Sequence, residues 1–304
     1  MIQIGRFSFK KERLVLTLLA IPFIAFVVAF SYVPLFGWIL AFINYKPGLK
    51  IWDCEYSGLY YFKLIFQDWY KMASVLKNTL VMSFLGLICT PLPAVFAIFL
   101  SELPSVRFKK VVQTLTTIPN FISWVIIYAL AYALFSTEGV VNQVLLNAGI
   151  IEKAGNVLGN SDITWVFQTA LNVWKGLGWN AIIYFAAIAG IDSELYDAAS
   201  VDGAGRFQRI LHITVPGISS TFFVLLLLQV SNLLALGIDQ YLAFYNSMVA
   251  DKILVLDLHV YRLGLITQDY SYATAVGIFK SLISILLLFS VNGLSKRLRG
   301  ESLV

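Results

Sequence analysis

The sequence predicts an all-α polytopic membrane protein with six transmembrane helices. Hydrophobic residues make up 59% of the chain and charged residues only 13%, whereas soluble domains carry about 25% charged residues. Several apolar segments also reach the roughly 20 residues that a helix needs to cross a hydrocarbon core. Because a segment in lipid must satisfy its own backbone hydrogen bonds, each of these segments is expected to be helical.

The six predicted spans lie near residues 14–33, 77–100, 113–135, 166–190, 214–236 and 273–294. They divide the chain into an N-terminal tail at 1–13, a first span with a long aromatic-rich outer loop at 14–76, a core at 77–294 and a C-terminal tail at 295–304. Aromatic side chains in the outer loop are typical of an interfacial belt, and some of them are alternatively suited to stacking on sugar rings.

The first span follows Lys10, Lys11 and Arg13, as the apolar part of a signal peptide would. No small-residue cleavage site comes after it, so we interpret it as a retained span. Lys and Arg are densest in the tails and in the short segments after the second and fourth spans. By the positive-inside rule, both termini and the loop between the fourth and fifth spans are expected in the cytoplasm.

Several chemistries are disfavoured by the sequence. Cys54 and Cys89 lie in a loop and an apolar segment, so they do not suggest a disulfide framework. His212 and His259 are expected on opposite sides of the membrane, so no metal site is predicted. The chain has no Gly-x-x-x-x-Gly-Lys-Ser/Thr run to hold nucleotide phosphates. Basic residues beside the spans explain the net charge of +5 without a nucleic-acid partner.

Residues 191–216 form a polar segment between the fourth and fifth predicted spans, which we call the elbow. Asp192 is placed to cap a first short helix, and Gly203 is expected to end it at a positive φ. A second helix over 204–213 would carry Phe207 and Leu211 on an apolar face, with Pro216 at the start of the next span. This pattern alone also fits an amphipathic interfacial loop without a partner.

The elbow resembles the cytoplasmic loop of binding-protein-dependent ABC importer permeases. The residues at the positions of the family pattern are Asp197, Ala198, Ala199, Asp202, Gly203, Ala204, Ile213 and Pro216. Asp197 replaces the usual Glu, and Ile210 replaces a usual Phe. The resemblance implies the type I ABC importer fold, in which this elbow is the coupling helix. The residues implied to contact the ATPase are Asp197, Ala198, Ala199, Asp202, Gly203, Ala204, Arg206, Phe207 and Pro216.

Further segments resemble the branch of this family that handles complex oligosaccharides: residues 32–37, 41–45, 239–240, 245–246, 270–277, 279–280 and 295–303. The resemblance implies a carbohydrate permease subunit in the bacterial cytoplasmic membrane, without enzymatic activity or a cofactor of its own. The implied partners are a second homologous permease, two ATP-binding subunits that hold ATP and Mg, and an extracytoplasmic sugar-binding protein.

Polar side chains within the spans are candidates for the substrate pathway, because they are costly in lipid. The set is Asn120, Ser123, Asn172, Trp174, Asn180, Gln229, Asn232 and Lys280. Hydrogen bonding between helices is the alternative role for each amide and hydroxyl, and Trp174 equally suits an interfacial position. Lys280 is the most unusual, since a charge within a span needs a partner or a hydrated cavity.

Two other functional classes are alternatives to the importer. A secondary transporter or channel would use Lys280 for ion coupling, but it has no need for the elbow. A membrane enzyme would require acids or histidines clustered at one membrane face, and the acids of the elbow are better explained as a solvated docking surface.

Overall fold

The computed structural model describes residues 6–299, whose secondary structure is helical apart from an isolated antiparallel bridge between Ile43 and Tyr56. The helices are Arg6–Val27 (α1), Tyr60–Gln67 (α2), Trp69–Ile88 (α3), Pro91–Ser101 (α4), Val106–Thr117 (α5), Trp124–Phe135 (α6), Val140–Asn147 (α7), Thr164–Ala189 (α8), Ser193–Val201 (α9), Arg206–Arg209 (α10), Val215–Ser231 (α11), Asp239–Phe244 (α12), Ala250–Ile253 (α13), Leu256–Tyr261 (α14) and Tyr270–Arg299 (α15). The predicted all-α class is confirmed. The predicted tails are helical across 6–13 and 295–299, and their remaining residues lie outside the described range.

The chain divides into two compact units. The first unit contains the residues up to Asp68 together with Arg262–Phe279. Its α1 continues through a π-helical segment, Val28–Tyr32, into a 3-10 segment, Val33–Phe42. This continuous apolar stretch, Leu14–Phe42, is longer than the predicted span at 14–33, and none of its most apolar window is buried.

Two segments of the first unit that are far apart in sequence are joined by one hydroxyl group. Ser271 Oγ donates to the carbonyl of Ile43 at 2.7 Å and accepts from the backbone N–H of Tyr45 at 3.0 Å. The rings of Tyr45 and Tyr270 also meet edge to face, with centroids 5.8 Å apart. The segments at 41–45 and 270–277, both of which resemble the oligosaccharide branch, are therefore packed against each other.

The second unit contains Trp69–Tyr261 and the residues from Lys280 onward. One of its hydrophobic clusters joins α4, α8 and α11 through Ala97, Ala181, Tyr184 and Ile218. A second cluster gathers α3, α6 and α12–α14 around Ile127, Phe244 and Leu258. The small alanines in the first cluster let the helices approach closely, as is common in membrane proteins.

The prediction of six spans is not matched by the described helices. Five helical segments are long and apolar enough to cross a membrane: Leu14–Phe42, Trp69–Ser101, Trp124–Asn147, Arg206–Ser231 and Tyr270–Ser290. The predicted fourth span is the helix α8, which has 26 residues but is not among the five. Polar side chains such as Gln168, Asn172 and Lys175 lower its mean hydropathy.

The predicted third span at 113–135 is also wrong as a continuous helix. The helix α5 ends at Thr117, a 3-10 turn occupies Ile118–Phe121, and α6 begins at Trp124. Pro119 has no backbone N–H to continue the α-helical hydrogen bonds, and the chain becomes extended at Ile122. Ser123 then caps the new helix by accepting a hydrogen bond from Ile126 N–H at 3.4 Å.

The predicted boundary between the elbow and the fifth span is wrong as well. Helix runs from Arg206 to Ser231 through a π-helical segment at Ile210–Thr214, so no separate second elbow helix ends at residue 213. Pro216 is the second residue after the π-helical segment. A proline in a continuing helix removes one hydrogen bond and crowds the preceding turn, and the wider π-helical turn accommodates both effects.

Candidate functional site

The first helix of the elbow begins as its sequence predicts. The Asp192 side chain accepts a hydrogen bond from Glu194 N–H at 3.0 Å, and Glu194 lies in the first turn of α9. Negative charges are favourable at this end of a helix because they face unpaired N–H groups. The predicted capping role of Asp192 is confirmed.

The turn of the elbow is made at Gly203, which has a φ of +75°. The helix α9 closes with a hydrogen bond from Ala204 N–H to the Ala199 carbonyl at 2.8 Å. No atom lies within 4 Å of the position where a side chain at Gly203 would begin. The predicted positive φ is confirmed, and the glycine is required by backbone conformation and not by space.

The elbow presents large apolar side chains to the exterior of the chain. Val201 is 88% exposed and Phe207 is 76% exposed, and Leu195 and Leu211 are also exposed. The predicted coupling residues Asp197, Ala198, Asp202, Gly203, Arg206, Phe207 and Pro216 are exposed, whereas Ala199 and Ala204 are half-buried. Ile210 packs instead against the cluster formed by α4, α8 and α11.

Two contacts fasten the elbow to the rest of its unit. The hydroxyl groups of Tyr196 and Thr214 are 2.9 Å apart, and Thr214 is buried at the end of the π-helical segment. On the other side of the turn, Arg206 forms an ion pair with Glu102, with 2.9 Å between Nε and Oε2. Both contacts lie within the second unit.

A cavity of about 280 Å³ lies within the second unit among α3, α4, α8, α11 and α12. We call it the main cavity because it gathers half of the predicted pathway residues. Four of the predicted pathway residues line it: Asn172, Asn180, Gln229 and Asn232. Its lining also includes Ser83, Thr90, Gln168 and Tyr241, and no residue that lines it carries a formal charge. Its walls therefore offer amide and hydroxyl groups between apolar side chains.

The amides around the main cavity are held by hydrogen bonds. Gln240 Nε2 donates to Gln168 Oε1 at 2.8 Å, and Asn172 Nδ2 donates to Gln240 Oε1 at 3.1 Å. Elsewhere in the lining, Thr90 Oγ1 donates to Gln229 Oε1 at 2.6 Å. These bonds orient the polar groups before any ligand arrives, which reduces the entropic cost of binding one.

The break between α5 and α6 is held by a lysine from α8. Lys175 Nζ donates to the carbonyls of Pro119, Asn120 and Ile122 at 3.1, 2.7 and 2.7 Å. The same ammonium lies 5.5 Å from the centre of the Trp124 ring. Because a lysine has three donors, these carbonyls use its full hydrogen-bonding capacity.

The remaining predicted pathway residues lie away from the lining of the main cavity. Asn120 belongs to the break, and Ser123 lines a separate concavity with Trp124 and Asp239. Trp174 is exposed. Lys280 forms an ion pair with Asp257, whose second oxygen accepts a hydrogen bond from Gly237 N–H at 2.9 Å. The expectation that Lys280 needs a partner is met by Asp257.

Some residues around these features were not singled out by the sequence. Gln168 lies within the predicted fourth span, so the rule that selected Asn172 also applies to it. Glu102 and Asp257 carried no comparable signal, because each gains its role from a partner far along the chain. Within residues 6–299, no group of three His, Cys, Asp or Glu side chains is arranged to hold a metal ion.

The chain is similar to a known family and to characterised relatives. The family described as "Binding-protein-dependent transport system inner membrane component" matches residues 90–300. Protein LplB of Bacillus subtilis (strain 168) is 36% identical over 292 residues, which cover 95% of this chain and 90% of that protein. The polygalacturonan/rhamnogalacturonan transport system permease protein YteP of the same organism is 37% identical over 290 residues, covering 95% and 89%.

Solved structures show the same similarity in three dimensions. A chain of a bacterial ABC transporter involved in the import of the acidic polysaccharide alginate matches with a TM-score of 0.85 and 32% identity, covering 95% of this chain and 97% of that chain. A chain of the bacterial alginate transporter in complex with a periplasmic protein bound to alginate pentasaccharide gives a TM-score of 0.86 and 32% identity, covering 96% and 97%. The similarity therefore includes both the elbow and the helices that line the main cavity.

Proposed function

Because the chain belongs to the family of binding-protein-dependent transport system inner membrane components, we propose that it forms part of the path by which an oligosaccharide enters a bacterial cell. A permease subunit of this family spans the inner membrane several times. ATP hydrolysis belongs to a separate subunit in such ABC importers, so this chain is not an enzyme and carries no cofactor.

The lining of the main cavity is the observation that carries the proposed cargo. Its amides and hydroxyls, including Asn172, Asn180 and Gln229, both donate and accept hydrogen bonds. Sugar hydroxyls do the same, and apolar side chains between the polar groups suit the C–H faces of a sugar ring. The polygalacturonan and alginate importers among the similar proteins support this choice of cargo.

In the proposed architecture, α8 is a sixth membrane span. Its 26 residues give a helix of roughly 39 Å, which is long enough to cross the hydrocarbon core. Its most polar side chains, Lys175 and Gln168, have hydrogen-bond partners within the protein. With both termini in the cytoplasm, this layout places the elbow on the cytoplasmic side.

The proposed complex contains a second permease subunit, two ATP-binding subunits and an extracytoplasmic sugar-binding protein. Closure of the ATP-binding pair would displace the elbow, and the spans would then change between inward-facing and outward-facing arrangements. The solved alginate transporter, which has been captured with a periplasmic protein, supports this assembly. The exposed apolar residues Leu195, Val201 and Phe207, flanked by Asp197 and Asp202, form the proposed docking surface.

The resemblance implies that Asp197 meets a basic residue of the ATPase. Asp197→Lys is expected to lower uptake by about tenfold or more, because it would place a like charge against that residue. Gly203→Pro should have a similar effect, because proline cannot adopt a φ of +75°. Uptake by the reconstituted complex and co-purification of the ATPase measure both effects.

Two variants serve as controls. Glu152→Lys makes an equal charge change at an exposed position outside the elbow. Gly203→Asn introduces a residue that tolerates positive φ. Normal uptake and co-purification in both elbow variants would exclude the docking role.

Asn232→Leu is expected to weaken transport without weakening assembly, because it removes a polar group from the main cavity while retaining the side-chain size. Loss of one such hydrogen bond costs about 1–3 kcal/mol, or roughly 5- to 150-fold in transport efficiency. The measurement is sugar uptake and sugar-stimulated ATP hydrolysis, with Asn147→Leu on α7 as the matched control. Equal uptake by both variants would place the cargo elsewhere.

The complete importer, reconstituted with its sugar-binding protein, tests the proposed function directly. Sugar-stimulated ATP hydrolysis is the expected result. Sugar transport by the permease subunits without an ATPase subunit would instead identify a secondary transporter or channel.

A further inference from the structure

Arg206 joins the elbow to the end of another helix. Its Nε donates to Glu102 Oε2 at 2.9 Å, and its Nη2 donates to the backbone carbonyl of Glu102 at 2.6 Å. The same guanidinium therefore holds both the side chain and the main chain of one residue. A planar guanidinium forms such paired contacts in a fixed geometry, whereas lysine offers a single flexible point charge.

Glu102 lies at the C-terminal end of α4. Glu102 follows Ser101, the last residue of α4, so its carbonyl belongs to the negative end of that helix. At the other end of the contact, Gly205 N–H donates to Gln208 Oε1 at 2.8 Å. This bond caps the start of α10, and Arg206 is the first residue of that helix. The contact thus links two helix ends.

The helix α4 is packed tightly enough to pass a displacement onward. Ala97 and Ala181 are fully buried, and they meet in the cluster that also contains Tyr184 and Ile218. Close-packed interiors have little free volume and move as units. Tyr184, together with Thr90 and Pro93 near the start of α4, lines the main cavity. A continuous packed route therefore leads from Glu102 to the cavity wall.

We propose that Arg206 and Glu102 are positioning residues that transmit the movement of the elbow to the wall of the main cavity. This inference rests on the proposed importer function and assigns Arg206 a partner within its own chain. An isolated surface ion pair contributes about 0–1 kcal/mol to stability. Removing this pair should therefore leave the chain folded and the ATPase bound. Movement of the elbow would then no longer reach the wall of the main cavity.

Cys89 provides a readout that needs no knowledge of the sugar, because it lines the main cavity. The rate of its alkylation by N-ethylmaleimide is measured by mass spectrometry in the complete importer, without nucleotide and after trapping with ATP and vanadate. In the unmodified protein, trapping should change this rate severalfold. Arg206→Gln and Glu102→Gln should each abolish the change while the ATPase still co-purifies.

Arg206→Lys retains a cation and should restore part of the nucleotide response, which a purely structural role would not predict. Arg107→Gln removes an exposed arginine from α5 and serves as the matched control. A full nucleotide response at Cys89 in both Arg206→Gln and Glu102→Gln would overturn the inference. Failure of the ATPase to bind the unmodified permease would instead contradict the proposed function, so the two failures are distinguishable.

Discussion

Gly178→Ala is expected to separate α5 from α8 and to destabilise the second unit. A Cβ atom at this position would lie 2.3 Å from both the carbonyl carbon and the oxygen of Thr116, and 2.6 Å from Thr117 N. These atoms belong to the backbone, so no side-chain rotation relieves the overlap. Overpacking typically costs about 1–3 kcal/mol, and a backbone obstacle places this variant at the upper end, near 3 kcal/mol.

The thermal unfolding midpoint of the purified complex measures this effect. Gly277→Ala is the matched control, because it also lies within a helix but nothing is within 4 Å of the added Cβ. Alanine is favoured over glycine in a helix by about 1 kcal/mol, so the control should unfold at the same or a higher temperature. Equal midpoints for Gly178→Ala and the unmodified protein would contradict the close contact of α5 and α8.

Lys175→Met is expected to disrupt the break between α5 and α6 and to abolish transport. Methionine retains the length of the side chain, but the carbonyls of Pro119, Asn120 and Ile122 lose their shared donor. These contacts are partly buried, and a buried acceptor left without a partner costs about 1–3 kcal/mol. The expected loss of stability is therefore about 3 kcal/mol or more.

Lys252→Met is the matched control for this substitution. Lys252 Nζ lies 4.3 Å from the centre of the Trp165 ring, and such a contact contributes about 0.5–1 kcal/mol at an exposed site. Thermal unfolding and sugar uptake of both variants should be compared. If Lys175→Met is no more damaging than Lys252→Met, the ammonium does not hold the break.

Local sequence signals predicted the features of this chain that depend on neighbouring residues. The capping by Asp192 and the turn at Gly203 follow from residue types at adjacent positions. Apolar length likewise predicted most of the spans. The span predicted at 166–190 is the long helix α8, but its polar side chains lower its mean hydropathy, so α8 is not among the five apolar segments.

Features that depend on distant residues were beyond the sequence. The break after Pro119 was not predicted, and the lysine that stabilises it lies on another helix. Lys280 signals an unpaired charge, but only the fold brings Asp257 to it. Arg206 was grouped with the docking residues, and the structure directs its guanidinium to Glu102 instead. For Lys280 and Arg206 the side chain was noticed in the sequence, and its partner was not.

The π-helical segment at Ile210–Thr214 sets the rotational phase between the elbow and the cavity. One additional residue in a helical turn rotates everything that follows by about 100° relative to an uninterrupted α-helix. Gln229 and Asn232, which follow this segment on α11 and just after it, line the main cavity. A permease with one residue fewer here would retain its elbow and its span, but it would turn a different set of side chains toward its cargo.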